Sequence, residues 1–415
     1  MKIKFLALSR TTDLEIKSQT NIDEIMSDFF LAFAKEIDYD NRKISIEQLQ
    51  KNTSDLKIKI NNIVQKYKSS APQINQLNKY FGDLKDNEFF FIFVNSNLNN
   101  EQYFNLYNYL SALEDNKDFG VASKEMDDLF GKLRENYDII AFDKNTRKKI
   151  GEPDKSKRVC RFCNKGSEEV TFKKIAHSIS ESLGNKKIIT NDECDSCNEK
   201  FGSGIENDLI LYLNLYRNFF SVKGKNGIPK LKGKNFQIYN NGEGKIEIKH
   251  FLNEEEENDP NFDNSKIQLE TNQNIVFQNI YRTLAKYALS VIDKQSLNNF
   301  ENTIRWINQE FDGEKLPKVA MLTSYDLFCN HPQLIIYKLK KDHDSLPHAV
   351  AEFRFTFLTF AFIIPFSSKD KIDYSNEEDF NNFWKFFKHY NSIKGWKFSK
   401  IDDTTPKKLK MILNF

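Results

Sequence analysis

Four of the chain's five cysteines fall into two C-x-x-C pairs, Cys160-Arg-Phe-Cys163 and Cys194-Asp-Ser-Cys197. This pattern constrains the fold more than any other feature. Two residues between cysteines let both sulfurs of a tight turn face one ion, and two such turns supply a tetrahedral zinc site. Disulfides are the alternative, and they need an oxidising compartment. The stretch Met1–Arg10 has too short an apolar part for a secretory leader, so a reducing, cytoplasmic setting and a structural zinc ion are expected. Cys329 stands apart in Leu327-Phe328-Cys329 and reads as a core residue.

The 30 residues between the pairs, Asn164–Glu193, are more than a minimal ribbon needs. Val170–Ile175 reads as a strand, Gly184-Asn185 as a turn and Lys187–Thr190 as a second strand. A helix is expected to open at Asp195 and to run on through Ile205, Leu209, Leu213 and Tyr216. His177 then ends the first strand, and Asn198 lies in the first turn of the helix.

Charge is concentrated in the same region. Between Lys144 and Lys234 there are 20 Lys and Arg against 11 Asp and Glu, which puts that stretch at +9 and the rest of a +2 chain at −7. Such a surface suits phosphate, although a solvated face has the same composition. The candidate contacts are Lys173, Lys174, Lys186 and Lys187 inside the insert, with Lys223, Lys225, Lys230 and Lys232 in the glycine-punctuated loop after it.

The segment resembles the HNH, or ββα-metal, endonucleases in their zinc-knuckle form. The residues carrying the likeness are Cys160-Arg-Phe-Cys163, His177 followed by Leu183-Gly184-Asn185, and Asn191-Asp-Glu-Cys194-Asp-Ser-Cys197-Asn198. The resemblance implies that His177 is the general base that activates water, and that Asn191 holds the histidine's loop. It implies that Asn198 is a ligand of a catalytic divalent ion, magnesium or manganese. Two departures stand out. Most members carry Asp or Glu directly before the histidine, where this chain has Ala176, and Ser180 stands where a proline is common. Another carboxylate must take the missing place, and Glu206 on the following helix is chosen over Glu181. From the residues alone, Asn198 could equally cap the helix, Asn191 could be a turn residue, and His177 could be an ordinary polar side chain.

With 415 residues, of which 13% are aromatic, the chain can form several domains. The expected fold is multidomain α+β. An N-terminal α/β region over 1–150 with a regulatory or recognition role precedes the zinc-bound ββα module over 155–225, and a C-terminal α+β domain spans 230–415. Within the first, Ile3/Phe5/Ala7 and Glu88–Val94 read as strands, while Asn21–Ile37, Leu49–Tyr67 and Tyr103–Leu113 read as helices. Asp143–Lys157 reads as a basic linker, Phe236–Phe251 as a hairpin, and Glu254–Glu257, ending near Asp259-Pro260, as a solvated acidic loop. Further on, Ile280–Val291 and Leu297–Phe311 read as helices and Ala349–Phe366 as one long central strand. Ser375–Glu378 reads as the capping box of a helix bearing Phe380, Phe383, Trp384 and Phe387. The helix Tyr281–Ser290 following such a module also resembles the layout of larger bacterial proteins of this nuclease type.

The expected activity is metal-dependent hydrolysis of phosphodiester bonds in DNA rather than RNA, with the Asp195 helix in or beside a groove. A defence role follows if the host is bacterial, and a regulatory protein partner or homo-oligomer is compatible. No membrane span is expected, because Glu352 and Arg354 interrupt the most apolar stretch. Two other readings share these features: a zinc-containing nucleic-acid binder without chemistry, which Ala176 keeps open, and an interaction scaffold.

Overall fold

The computed structural model describes residues 2–17, 22–38, 43–96, 98–142, 147–252 and 266–414. Asn21, the 143–146 part of the basic linker and the acidic run around Glu254–Glu257 and Asp259-Pro260 lie outside them. The fold is mixed α+β, and the chain divides into two compact units, Met1–Gly131 and Lys132–Phe415. Among the described residues no helix is long and apolar enough to cross a membrane.

The first unit is built on a four-stranded antiparallel sheet, in the order Thr11–Glu15, Lys2–Ala7, Phe89–Val94, Leu49–Lys51. Its FFFIFV strand is apolar on both sides because both faces are covered. Phe90 and Ile92 face a core that includes Ile25, Phe29, Ile60 and Phe81 from three helices. Phe91 and Phe93 face Leu110 of the helix Asn100–Glu114. Two expected helices are shorter than their apolar spacing suggests. The first is Ile22–Ala32, and the chain beyond it pairs as the strand Ala34–Asp38 with Lys43–Ile46. The second starts only after Thr53, whose hydroxyl accepts from the Leu56 amide, while Leu49–Lys51 joins the sheet edge. Strand pairing overrides helical periodicity in both places.

The second unit is layered. A six-stranded antiparallel sheet runs in the order Lys397–Ser399, Val319–Thr323, Leu358–Ile363, Ala349–Thr356, Cys329–Leu339, Tyr137–Phe142. The expected long strand Ala349–Phe366 is therefore a hairpin. It reverses at Thr356, whose φ is +54°, and its two arms have lengths typical of strands. On the sheet lies the helix Phe277–Val291, buried at every position from Gln278 onward. Tyr281 and Tyr287 pack edgewise or tilted on Phe362 and Phe353 of the sheet. A helix buried all round has partners on both sides, and on its other side is the cysteine segment. The expected helix Leu297–Phe311 is a 3-10 turn, Ser296–Phe300, followed by Glu301–Ile307. Asn376, not Ser375, caps the helix Glu377–Phe386 through the amides of Glu378 and Asp379.

A second, smaller β layer rests on the C-terminal half of the helix Ile205–Phe219. Leu231–Lys232, Phe236–Asn240 and Ile246–His250 form three antiparallel strands, and Lys266–Ile275 pairs with Lys407–Asn414. The Gly233–Thr271 bridge and the Lys234 N–H to Glu270 carbonyl bond join the two groups.

Candidate active site

The four sulfurs converge within 4.8 Å of one another. Cys163 and Cys194 have sulfurs 3.8 Å apart, as expected for tetrahedral bonds of zinc–sulfur length, which place sulfurs about 3.8 Å apart. The amide of Cys194 points at the Cys160 sulfur and that of Cys197 at the Cys194 sulfur, each at 3.4 Å. The Cys197 thiol and, against burial, the amides of Cys194, Phe162 and Cys163 hold the Cys160 thiol below its ordinary value. Donors aimed at sulfur stabilise thiolate, the form that binds metal. The cluster fits a structural zinc ion.

The insert between the knuckles differs from the expected hairpin. Val170–Ile175 is irregular, because the Asp195 carboxylate takes the Lys173 and Lys174 backbone amides that a ladder would have used, and the Thr171 hydroxyl as well. Pairing is left to a single bridge, His177 to Ile189, flanked by Ser178 N–H to Ile188 O and Thr190 N–H to Ala176 O. The strand Ile188–Thr190 is present, and its other edge pairs in parallel with Lys148–Ile150, from the stretch that reads as linker. The Asp195 helix ends at Ser203. Gly204, with φ −103° and ψ −109°, breaks it from Ile205–Phe219.

His177 is half-buried, and its Nε2 faces the Glu181 carboxylate at 3.8 Å. Among the described residues its Nδ1 is enclosed without a hydrogen-bond partner. Burial holds the imidazole below its ordinary value, Glu181 and Glu206 pull it up, and Lys286 and Lys186 push it down. Neutral imidazole, the form a base needs, is thus favoured. Glu181 lies in a short 3-10 turn, Glu181–Leu183, capped by Ser180 and closed by Gly184 at φ +94°.

Asn198 is half-buried in the first turn of the Asp195 helix, whose N-cap is Cys194. Asn191 donates its amide to the Ile150 carbonyl at 2.7 Å. The bonds that hold the histidine segment come instead from Thr190 and Ile188. Glu206 is buried, and its carboxylate is 2.9 Å from the Lys286 ammonium, which also lies 3.0 Å from Glu193. The eight candidate lysines are all exposed, and Lys174 pairs with Glu199.

Sequence reasoning missed the ionic framework behind this site. Lys286 comes from the Phe277–Val291 helix, has no exposed surface, and lies 5.7 Å from the ring centres of both Phe162 and Phe201. Burial works against its charge, and Glu193 and Glu206 restore it. Burial also lifts the Glu193 carboxyl, to about 7, in spite of Lys286. Arg161, inside the first knuckle, makes a fully buried pair with Asp192 and donates to the Leu289 and Ile292 carbonyls. Gly151, at φ +86°, passes so close to the Asp192 carboxylate that a Cβ there would stand 2.3 Å from an oxygen. Glu193 adjoins Cys194 and could have drawn notice, but nothing local pairs it, or Glu206, with a lysine so far along the chain.

No curated protein and no solved structure matches the chain. Residues 160–213 match the family model described as HNH endonuclease. That matched stretch takes in the four clustered cysteines and His177.

Proposed function

We propose that this protein is an endonuclease that hydrolyses phosphodiester bonds of DNA, with His177 as its general base. The observation that carries the reading is the His177–Glu181 pair, in which a neutral-leaning imidazole faces a half-exposed carboxylate within the family-matched segment. Nε2 is the nitrogen that takes the proton from water, because Nδ1 is walled in. The Glu181 carboxylate favours the ring's charged form once the proton has moved.

Glu181 also fills the place left by Ala176. Among the described residues its only ionic neighbour is His177, whereas Glu206 is engaged by Lys286. Glu181 and Asn198 would hold the magnesium or manganese ion, with Glu206 behind them. Such an ion supplies positive charge for the phosphate and the leaving oxygen. The four cysteines bind zinc for structure alone. The exposed lysines Lys173, Lys174, Lys186, Lys187, Lys223 and Lys225 add backbone attraction, which carries no sequence preference.

The test is cleavage of supercoiled and linear DNA with magnesium or manganese, for the parent and His177→Ala at equal zinc content. A loss of roughly 10²–10⁴-fold is expected in the variant. Cleavage that survives His177→Ala overturns the reading. Binding without any cleavage by the parent favours the non-catalytic alternative that Ala176 suggests.

A further inference from the structure

The smaller β layer has one face packed and one face in water, and the two differ in chemistry. Leu231, Phe236, Ile238, Leu269 and Met411 point inward, against Leu215 and Phe219 of the Ile205–Phe219 helix. Side chains alternate along strands, so their neighbours point outward. The outward set includes Lys232, Lys249, Lys408 and Lys410, all exposed and joined by Lys234 from the bend before Phe236, against only Glu247 and Glu270 among the acids.

The outward charge is not balanced internally. Lys234 and Lys408 lie 3.7 and 3.4 Å from the same Glu270 oxygen, and Lys410 is directly opposite Glu270 in the strand pairing. Three ammonium groups thus share one carboxylate. Lys232 and Lys249 flank Gln237 from the strands on either side. Large apolar side chains stand in water among these lysines: Tyr239 at 44% exposure, Phe251 at 47% and Ile412 at 64%. The Lys230 ammonium lies 5.1 Å from the Tyr239 ring centre.

A solvated face explains the lysines but not the exposed rings between them. Lysines that track a backbone, interleaved with aromatic faces on which bases stack, are what a single-stranded nucleic acid requires. A duplex offers its phosphates but keeps its bases stacked inside, so it has no use for Tyr239. Position agrees with charge. The same helix carries Glu206 in its first turn, and at 1.5 Å per residue Leu215 and Phe219 lie about 14–20 Å along it.

We infer that the outward face of this β layer, centred on Tyr239 and the lysines of the Lys407–Asn414 strand, binds a single strand of nucleic acid. The inference rests on the nuclease reading for its context, and names a surface on which that enzyme holds an unpaired strand beside its site. Lys230 and Lys232 belong to this surface, while Lys408, Lys410 and Tyr239 extend it to the far end of the chain.

The test uses the full chain carrying His177→Ala, without added divalent ions, so that binding is read apart from cleavage. Fluorescence anisotropy compares a labelled single strand with the matching duplex across a salt series. Tyr239→Ala is expected to weaken single-strand binding roughly 5- to 100-fold and to leave duplex binding unchanged. Replacing Lys408 and Lys410 together by Gln is expected to flatten the log–log salt slope for the single strand by about 1.4. These side chains are exposed, and unchanged zinc content and circular dichroism confirm an intact fold. Single-strand binding indifferent to both variants overturns the inference. So does a lysine-dependent grip on duplex that ignores Tyr239. A parent chain that binds through this face yet never cuts DNA defeats the nuclease reading alone, and cleavage with a silent face defeats the inference alone.

Discussion

The two units are held together by different physics. In Met1–Gly131 the centre is a knot of rings: Phe5 meets Phe29, Phe33, Tyr80, Phe81 and Phe90, with centroids 5.2–6.3 Å apart. The buried polar groups described there are few; of these, the Asn52 amide donates to the Phe81 carbonyl and the Glu88 carboxylate accepts from the Ser9 N–H. The second unit threads buried ions through its middle, with Arg161 on Asp192 and Lys286 between Glu193 and Glu206. Apolar burial stabilises wherever it occurs, whereas buried ions add little net stability for their desolvation cost. Of these charges, Lys286 and Glu206 act on the His177 imidazole, one pushing its value down and the other up. The ring knot has no such neighbour.

Metal removal should break this contrast most visibly. Zinc binding in small knuckle folds is worth about 10–16 kcal/mol, so chelation should melt the segment around residues 158–204 and expose it to hydrogen exchange. Residues 2–96 should keep their protection. Equal protection loss in both places would show that the sulfur cluster is not what holds the second unit.

Single substitutions sharpen the comparison at a smaller scale. Phe5→Ala and Lys286→Met should each cost about 3–5 kcal/mol, one through a cavity and the other through two stranded carboxylates. Their rescues should differ. Adding Glu193→Gln and Glu206→Gln to Lys286→Met should recover most of the loss, while no polar change repairs Phe5→Ala. Urea unfolding followed by tryptophan fluorescence reads the second unit, which holds Trp306, Trp384 and Trp396, the chain's three tryptophans, and hydrogen exchange at the Phe89–Val94 strand under the same urea series reads the first.

The smallest effect is on pH dependence. The Glu181 charge raises the His177 value, so Glu181→Gln should lower it further and leave more neutral imidazole in mild acid. The acid limb of the cleavage profile should then move to lower pH, in whatever activity remains. A limb that moves upward, or does not move, would show that Glu181 does not act on His177 through charge.

The sulfur cluster was legible in sequence because its chemistry is local. C-x-x-C spacing fixes two sulfurs per turn, and the helix after Cys194 follows its own cap. The hairpin between the knuckles was misread because one side chain, Asp195, satisfies backbone groups that alternation assigns to a ladder. The early helices were overextended where Leu49–Lys51 and Ala34–Asp38 found strand partners. Lys286 was illegible for a related reason. Its place on a helix of aromatic and small residues shows periodicity, whereas its meaning depends on two glutamates distant in the chain. Long-range pairing, not propensity, is what the residues failed to announce.

Arg161 carries one more consequence. It stands between two metal-binding cysteines in sequence, yet its guanidinium ends on the last carbonyls of the Phe277–Val291 helix, where a cation meets the negative pole of the helix dipole. An ion on those cysteines would therefore latch a helix it never touches. Oxidation or starvation of the thiols would loosen that helix from its far end, and the loosening would reach Lys286 within two turns. A shortage of metal would then be felt at the histidine as a slackening of the scaffold before any ligand there had changed.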